Sequence, residues 1–237
     1  MANEHREQLG VVAESIDPLH VTATLYEGIV AGISGGGAPF LDSILTAVVA
    51  IRERLVPPSD PRETLPIEIP IAQSECGRVY LCSSGLLHVQ SHDLRHKHKR
   101  APCTEYARIG AAKITRVDQS AAEDKSYRVP YNYELVHNNT VEWWCFGDRE
   151  LILEMLRDVH ALGKFRGSGK GRIREWQVEI CEPWGDGFPV LRNGEPMRPL
   201  PLDYPGLKEG AFIAYHTLRP PYYMRMLEEP CAMPRRL

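Results

Sequence analysis

The chain has 237 residues, of which 43% are hydrophobic and 25% are charged. This composition excludes an intrinsically disordered chain, a collagen and a small disulfide scaffold, and the length suits one large domain or two small ones. With 28 Lys and Arg against 31 Asp and Glu, the net charge is -3, a total that by itself argues against nucleic-acid binding. Attraction to phosphate depends on local patches, however, so the charge has to be located along the chain.

The six cysteines contain no pair separated by two residues, which is the spacing of zinc knuckles and redox motifs. The first ten residues are polar and do not resemble a secretory signal. The most apolar helical candidate, residues 41–55, carries four charged side chains, too many for a membrane span. We therefore expect a protein of the reducing cytoplasm with free thiols, without a membrane segment, a metal or a cofactor.

The first predicted elements are a strand and a helix. Residues 19–30 alternate and are rich in Val, Thr, Leu, Tyr and Ile, which indicates a strand. A glycine-rich loop at 32–37 leads into a helix over 41–55, which Pro57 and Pro58 end. Its apolar residues share one face: Leu41, Ile44, Leu45, Val48, Ile51 and Leu55.

Two β-like stretches follow at 66–72 and 77–89, with Pro66 and Pro70 marking bends or edges. The next segment, 91–102, is polar and basic and has no apolar period of either kind, so it is predicted to be irregular.

Further strands are predicted after this basic segment. A short β-like run covers 111–117, and a strand candidate covers 127–136. Asn138-Asn139 is typical of a turn, and an aromatic strand follows at 141–146. Trp143 and Trp144 are adjacent in this strand, so one ring should face the core and the other the opposite sheet face. Core packing and stacking on a nucleobase both remain open for the pair.

A second helix is expected to begin at Asp148, a favourable N-cap, and to end at Gly163. Its apolar face contains Ile152, Met155, Leu156, Val159 and Leu162. A strand is predicted at 173–180, and more than half of the 19 prolines lie beyond it.

The predicted order is therefore strand, helix, strands, strand, helix, strand. This is the split βαβ order of an α+β, ferredoxin-like (RRM-like) domain. We predict an N-terminal segment at 1–17, the domain at 18–182 with a long basic insertion at about 91–126, and a loop-rich Pro/Gly extension at 183–237 packed on it.

The connection from helix to strand, residues 163–172, has the most informative composition. It places four glycines and four cations in ten residues without an acidic side chain. Glycine lets backbone N–H groups approach a phosphate, and the cations supply charge. The spacing fits neither a nucleotide P-loop nor the dinucleotide fingerprint. The alternative is a flexible, solvated connection without a ligand.

The second candidate is the basic segment His92 to Arg100. It has a net charge of +3 and residues 163–174 have +5, so the rest of the chain must carry -11. The alternative is a solvated loop without a partner. A metal site at His92, His96 and His98 is disfavoured because four neighbouring cations would repel the ion.

Catalysis has weaker support in the sequence. His92, His96, His98 and His160 are candidates for acid-base RNA cleavage by residue type alone, and no spacing singles one out. The paired carboxylates and the serines lack catalytic context. We therefore expect no catalytic residue.

Several phrases of the sequence together resemble a known family. They are GDRE after Trp143-Trp144, LGKFRGSGKGRIREW, CEPWGDGFPVLRNGEPMRPLPLDYPGL and PPYYMRMLEEPCAMP. They resemble the RAMP-superfamily subunit of type IV CRISPR-Cas effector complexes, the counterpart of the CRISPR-associated protein five family. The likeness runs from about Pro18 to Pro234. It implies a ferredoxin-like core in which Gly163, Gly167, Gly169 and Gly171 match the family's glycine-rich loop.

The resemblance also implies a function in a ribonucleoprotein of antiviral defence and plasmid interference. Such a subunit binds the five-prime repeat-derived handle of the crRNA, beside the backbone-filament subunit and the large subunit, with target DNA nearby. The insertion falls where the family can carry a thumb-like element. The RNA-binding residues expected are Gly163, Lys164, Arg166, Gly167, Gly169, Lys170, Gly171, Arg172 and Arg174 in the loop region, and Arg95, Lys97, His98, Lys99 and Arg100 in the insertion.

Three functional hypotheses follow. The first is a non-catalytic crRNA-binding subunit. The second is a metal-independent endoribonuclease that processes precursor crRNA, as some relatives in other CRISPR types do. The third is a scaffold that binds only proteins.

Overall fold

A computed structural model of the protein describes residues 16–30, 39–56, 67–75, 77–99, 127–220, 222 and 225–234. At 97–99, 127–130, 132 and 225 it describes the backbone alone. Within these residues, no helix is both long and apolar enough to cross a bilayer.

The main sheet contains four strands. They are β1 (Asp17–Leu25), β2 (Leu86–Lys99), β3 (Tyr127–Gly147) and β4 (Ile173–Ile180), arranged in the order β2-β3-β1-β4. All three pairings are antiparallel. Helix α1 (Leu41–Arg52) connects β1 to β2, and helix α2 (Arg149–Leu156) connects β3 to β4. The predicted α+β class is confirmed, and these four strands and two helices follow the predicted order. The β-like stretch predicted at 66–72 is an exception, because its described residues, 67–72, form no strand and Ile71 makes only an isolated bridge to Gly147.

The core lies between one face of this sheet and the two helices. Along β1, Leu19, Val21, Ala23 and Leu25 are buried while the residues between them are half-buried, as the alternating sequence predicts. Residues from β3 and both helices join the same cluster: Val141, Trp143, Cys145, Leu41, Ile44, Leu45, Val48, Ile152, Met155 and Leu156. Each fully buried large aliphatic side chain contributes about 1.5–3 kcal/mol to folding.

Both helices are shorter than their apolar patterns predict. Helix α1 ends at Arg52, and Ile51 is 77% exposed rather than part of the buried face. Asp148 caps α2 by accepting a hydrogen bond from the Leu151 N–H, as predicted, but α2 ends at Leu156. The chain then becomes extended before Gly163, because Leu162 forms a backbone hydrogen bond to Gly171 in the loop before β4.

The prediction of an irregular basic segment at 91–102 was wrong for residues 91–99. These residues continue β2 and pair with residues 127–135 of β3. The pairing supplies the backbone hydrogen bonds, so an edge strand of this kind needs no apolar period. The region 100–126, which includes the β-like run predicted at 111–117, lies outside the described residues.

The predicted turn at Asn138-Asn139 is a distortion within a continuous strand. Both residues have positive φ, 53° and 55°. The register with β2 shifts between Val136 and Val141, where the chain bulges without reversing. Asn tolerates this left-handed backbone, which explains why the pair has the composition of a turn.

The C-terminal segment forms two small sheets. Strands β5 (Leu191–Arg192) and β6 (Glu195–Pro196) pair with each other. Strands β7 (Leu200–Pro201), β8 (Phe212–His216) and β9 (Glu229–Met233) form a sheet in the order β7-β9-β8. A second hydrophobic cluster joins this segment to Val79 through Val190, Leu191, Leu200, Leu218 and Cys231.

Candidate nucleic-acid interface

The loop from Gly163 to Arg172 needs glycine at its two ends. A Cβ on Gly163 would lie 2.5 Å from the Val30 carbonyl oxygen, and one on Gly171 would lie 2.1 Å from the Leu162 carbonyl oxygen. Both glycines also have positive φ, 75° and 64°. These close approaches hold the ends of the loop against the domain, and only glycine fits them without a backbone shift.

The tip of the loop is open. Residues 166–168 form one 3-10 turn, and a Cβ on Gly167 or Gly169 would meet nothing within 4 Å. Lys164, Arg166, Arg172 and Arg174 are exposed, as are residues 167–169. The tip therefore presents accessible backbone with cations on either side and no carboxylate between 163 and 174, an arrangement that suits phosphate.

The two basic segments meet at Tyr133 of β3. The Arg95 guanidinium carbon on β2 lies 3.9 Å from the centroid of the Tyr133 ring, and Lys170 Nζ of the loop lies 4.9 Å from it. Both distances are within the range of a cation–π contact. Because Tyr133 is only 1% exposed, its ring is a fixed point on which one cation from each segment is positioned.

Two carboxylates accept hydrogen bonds from the Tyr133 and Arg95 side chains of this contact. The Tyr133 hydroxyl donates to Glu27 Oε2 at 3.1 Å, and Arg95 Nε donates to Asp93 Oδ2 at 2.7 Å. Burial, followed by the hydrogen bond to Glu27, raises the pKa of Tyr133, so the phenol keeps its proton and remains a donor. Asp93 lies opposite Tyr133 across the two strands, which places Arg95 on the same face as the ring.

A second ring contact joins the loop to the same strand. The ring centroids of Phe165 and Tyr131 are 4.8 Å apart, with planes tilted by 56°. Phe165 has a positive φ of 59°, a backbone conformation that is uncommon for a bulky side chain and that often occurs at binding sites. The loop thus rests on β3 through Phe165 as well as through Lys170.

The remaining predicted residues of the basic segment are only partly placed. Lys97, His98 and Lys99 belong to β2, opposite 127–129 of β3. Their side chains, and the whole of Arg100, lie outside the described residues.

The histidines considered for catalysis lie at separate places in the fold. His92 is exposed on β2, His96 is half-buried on the same strand, and His160 is exposed after α2.

The face of the main sheet that is turned away from the two helices, here called the open face, carries negatively charged side chains. Glu142 of β3 and Glu175 and Glu179 of β4 lie on this face, because they pair with Thr22, Thr24 and His20 of β1. Trp143 is buried in the core, as predicted for one of the two adjacent tryptophans. Trp144 is on the open face, where its ring stacks on His20 at 5.0 Å and contacts Trp184 at 5.5 Å. Glu142, Glu175 and Glu179 would repel phosphate, so the charge on the loop and β2 suits a polyanion better than this face does.

Sequence reasoning missed Tyr133 and Glu27. Tyr133 lies within a run predicted as a strand, but its role appears only when the pairing places Asp93 opposite it and Arg95 over its ring. Two-residue alternation can predict which face Tyr133 occupies, whereas the register that brings β2 to it cannot be read from local pattern.

Comparisons with known proteins give the following. A search of the curated proteins found no match. A chain in the solved structure described as "Cryo-EM structure of the Type III-B Cmr-beta bound to cognate target RNA" is similar, with 10% sequence identity and a TM-score of 0.39. The match covers 76% of this chain and 66% of the other, just under two thirds of its length.

A family model also matches this sequence. The model described as "CRISPR type IV associated protein Csf3" matches residues 89–233. That range is more than half of the 237 residues, and it includes β3, the glycine-rich loop, β4 and the C-terminal sheets. The chain therefore belongs to the CRISPR type IV associated protein Csf3 family.

Proposed function

We propose that this member of the Csf3 family is a non-catalytic crRNA-binding subunit of a type IV CRISPR ribonucleoprotein. Its βαββαβ domain is a ferredoxin-like RAMP core that binds the five-prime repeat-derived handle of the crRNA. It joins the backbone-filament subunit and the large subunit for guided targeting of DNA. Pairing between guide and target supplies the sequence specificity, while this chain contacts RNA backbone and shape.

The observation that carries the proposal is the meeting of the two basic segments at Tyr133. A total charge of -3 is compatible with RNA binding only if cations are concentrated on one part of the surface. Arg95 and Lys170 contact the same ring, and the exposed cations of the loop continue from there. The carboxylates Glu142, Glu175 and Glu179 lie on a different surface, the open face of the sheet.

Replacing Lys164, Arg166 and Lys170 together with Ala is expected to weaken binding of a synthetic handle RNA. Each phosphate contact of a single strand contributes roughly 0.7 to the slope of log affinity against log salt concentration, so losing three lowers the slope by about 2. The measurement is fluorescence anisotropy with labelled RNA over a series of salt concentrations.

The matched control replaces Arg192, Lys208 and Arg219, three exposed cations of the C-terminal segment, with Ala. It changes the net charge by the same amount, so a slope lowered only by the loop variant assigns the contacts to the loop. Equal slopes for the wild type and the loop variant would remove the loop from the site.

The non-catalytic part of the proposal has its own test. Purified protein incubated with repeat RNA in the presence of a chelator is expected to leave the RNA intact, as followed on a denaturing gel. His92 and His160 are exposed, and both are candidates for acid-base cleavage by residue type. Site-specific cleavage that His92→Ala or His160→Ala abolishes would establish the endoribonuclease instead.

A further inference from the structure

Tyr26 is an exposed aromatic residue directly after β1, next to the glycine-rich loop. Its side chain is 58% exposed. The guanidinium carbon of Arg172, the last residue of the loop, lies 5.2 Å from the centroid of its ring. Tyr26 therefore combines an accessible aromatic surface with a cation already positioned beside it, and the predicted RNA-binding residues did not include it.

The backbone around Tyr26 is held from two sides. The Tyr26 N–H donates to the Arg172 carbonyl at 3.0 Å, and the Gly171 N–H donates to the Gly28 carbonyl at 3.3 Å. On the other side, Ile29 exchanges two backbone hydrogen bonds with Glu134 of β3 at 2.9 and 2.8 Å. This short segment thus joins the loop to β3, and the Tyr26 backbone is held beside the end of the loop.

The chemistry at this position suits a base better than a phosphate. The neighbouring Glu27 carboxylate is exposed and accepts the Tyr133 hydroxyl, so a phosphate placed beside it would be repelled. A neutral nucleobase has no such penalty. Every base has a π face that can stack on an aromatic ring, and a nearby arginine adds a cation–π contribution.

We propose that Tyr26, supported by Arg172, stacks against an unpaired nucleobase of the bound RNA. This inference rests on the proposed function, because it requires RNA at the glycine-rich loop. Tyr26 supplies binding free energy through its ring rather than its charge. The loop cations contact the phosphates on either side of the stacked base.

Tyr26→Leu is expected to weaken handle RNA binding roughly five- to 150-fold, the range for losing one base–aromatic stack. The salt slope should stay unchanged because no phosphate contact is lost. Tyr26→Phe keeps the ring and should retain wild-type affinity. RNAs carrying 2-aminopurine at successive positions should show one position whose fluorescence is quenched by the wild type and by Tyr26→Phe, but not by Tyr26→Leu.

The control is Tyr215→Leu, which removes a tyrosine that is 71% exposed on β8. It is expected to leave affinity and fluorescence unchanged. Unfolding curves that match the wild type show that Tyr26→Leu is folded. Wild-type affinity for a folded Tyr26→Leu, with the loop triple variant still defective, overturns the inference and leaves the proposed function intact. Wild-type protein that binds no handle RNA overturns the proposed function and this inference together.

Discussion

Replacing Arg198 with Met is expected to lower the free energy of unfolding by about 3–5 kcal/mol, the usual cost of breaking a buried ion pair. Arg198 and Asp42 are both fully buried, and their side chains are joined at 3.1 Å. The Tyr222 hydroxyl accepts from Arg198 at 2.6 Å and donates to Asp42 at 2.5 Å. Arg198 also donates to the backbone carbonyls of Tyr80, Cys82 and Leu218.

The cost comes from the groups that the substitution leaves behind. Met fills much of the same volume, but it leaves the Asp42 carboxylate with Tyr222 as its remaining side-chain partner in a buried site. Burial alone would lower the pKa of Arg198, but Tyr222 and Asp42 beside it raise that pKa overall, so the guanidinium remains charged. The substitution therefore removes a charge that its surroundings stabilise.

Urea unfolding followed by circular dichroism measures the effect as a shift in the midpoint at constant slope. The control is Arg52→Met. Arg52 pairs with Glu154 and Asp158 at the surface, where its side chain is 38% exposed, so its loss should cost about 1 kcal/mol or less. Equal effects of the two substitutions would contradict the structural role given to Arg198.

The Arg198 site shows what the sequence could not predict. Asp42 occupies the first turn of α1, where an acidic residue is favourable at the helix terminus and is normally solvated. Arg198 lies 156 residues away in a Pro-rich stretch without periodicity. No local pattern joins them. Both residues are buried because the C-terminal segment covers the start of α1.

Where one face of an element is buried, the sequence predicted the fold well. The alternation of β1 and the Asp148 cap are local signals, and both are confirmed. Residues 91–99 show no strand pattern in the sequence because a strand paired only with β3 has no buried face to impose alternation. The spacing places Ile51 on the apolar face of α1, yet Ile51 is exposed, because helical spacing cannot show where the partner surface ends.

The composition of the sequence predicts which segments form the candidate site, but it does not predict how they are arranged in space. Four glycines and four cations between Gly163 and Arg172 mark the loop in the sequence alone. That Lys170 and Arg95 share the ring of Tyr133 depends on the register of β2 and β3. Charge density therefore predicts which segments bind a polyanion, while strand pairing determines whether they act together.

Gly171→Ala is expected to lower both the stability of the protein and its affinity for handle RNA. Its φ of 64° is costly for any residue with a Cβ, and the added carbon would lie 2.1 Å from the Leu162 carbonyl oxygen, a backbone atom. The backbone must shift, which breaks the hydrogen bond from Leu162 N–H to the Gly171 carbonyl at 2.8 Å. We expect a loss of more than about 2 kcal/mol in unfolding free energy.

Gly167→Ala is the matched control within the same loop. A Cβ at this tip position meets nothing within 4 Å, and Gly167 is not among the glycines with positive φ, so its stability should stay within about 0.5 kcal/mol of wild type. RNA affinity is measured at a temperature where both variants are folded. We expect Gly171→Ala to bind at least tenfold more weakly, because Lys170 and Arg172 lose their positions on Tyr133 and Tyr26. Affinity equal to that of Gly167→Ala would show that the closed end of the loop does not position these cations for RNA.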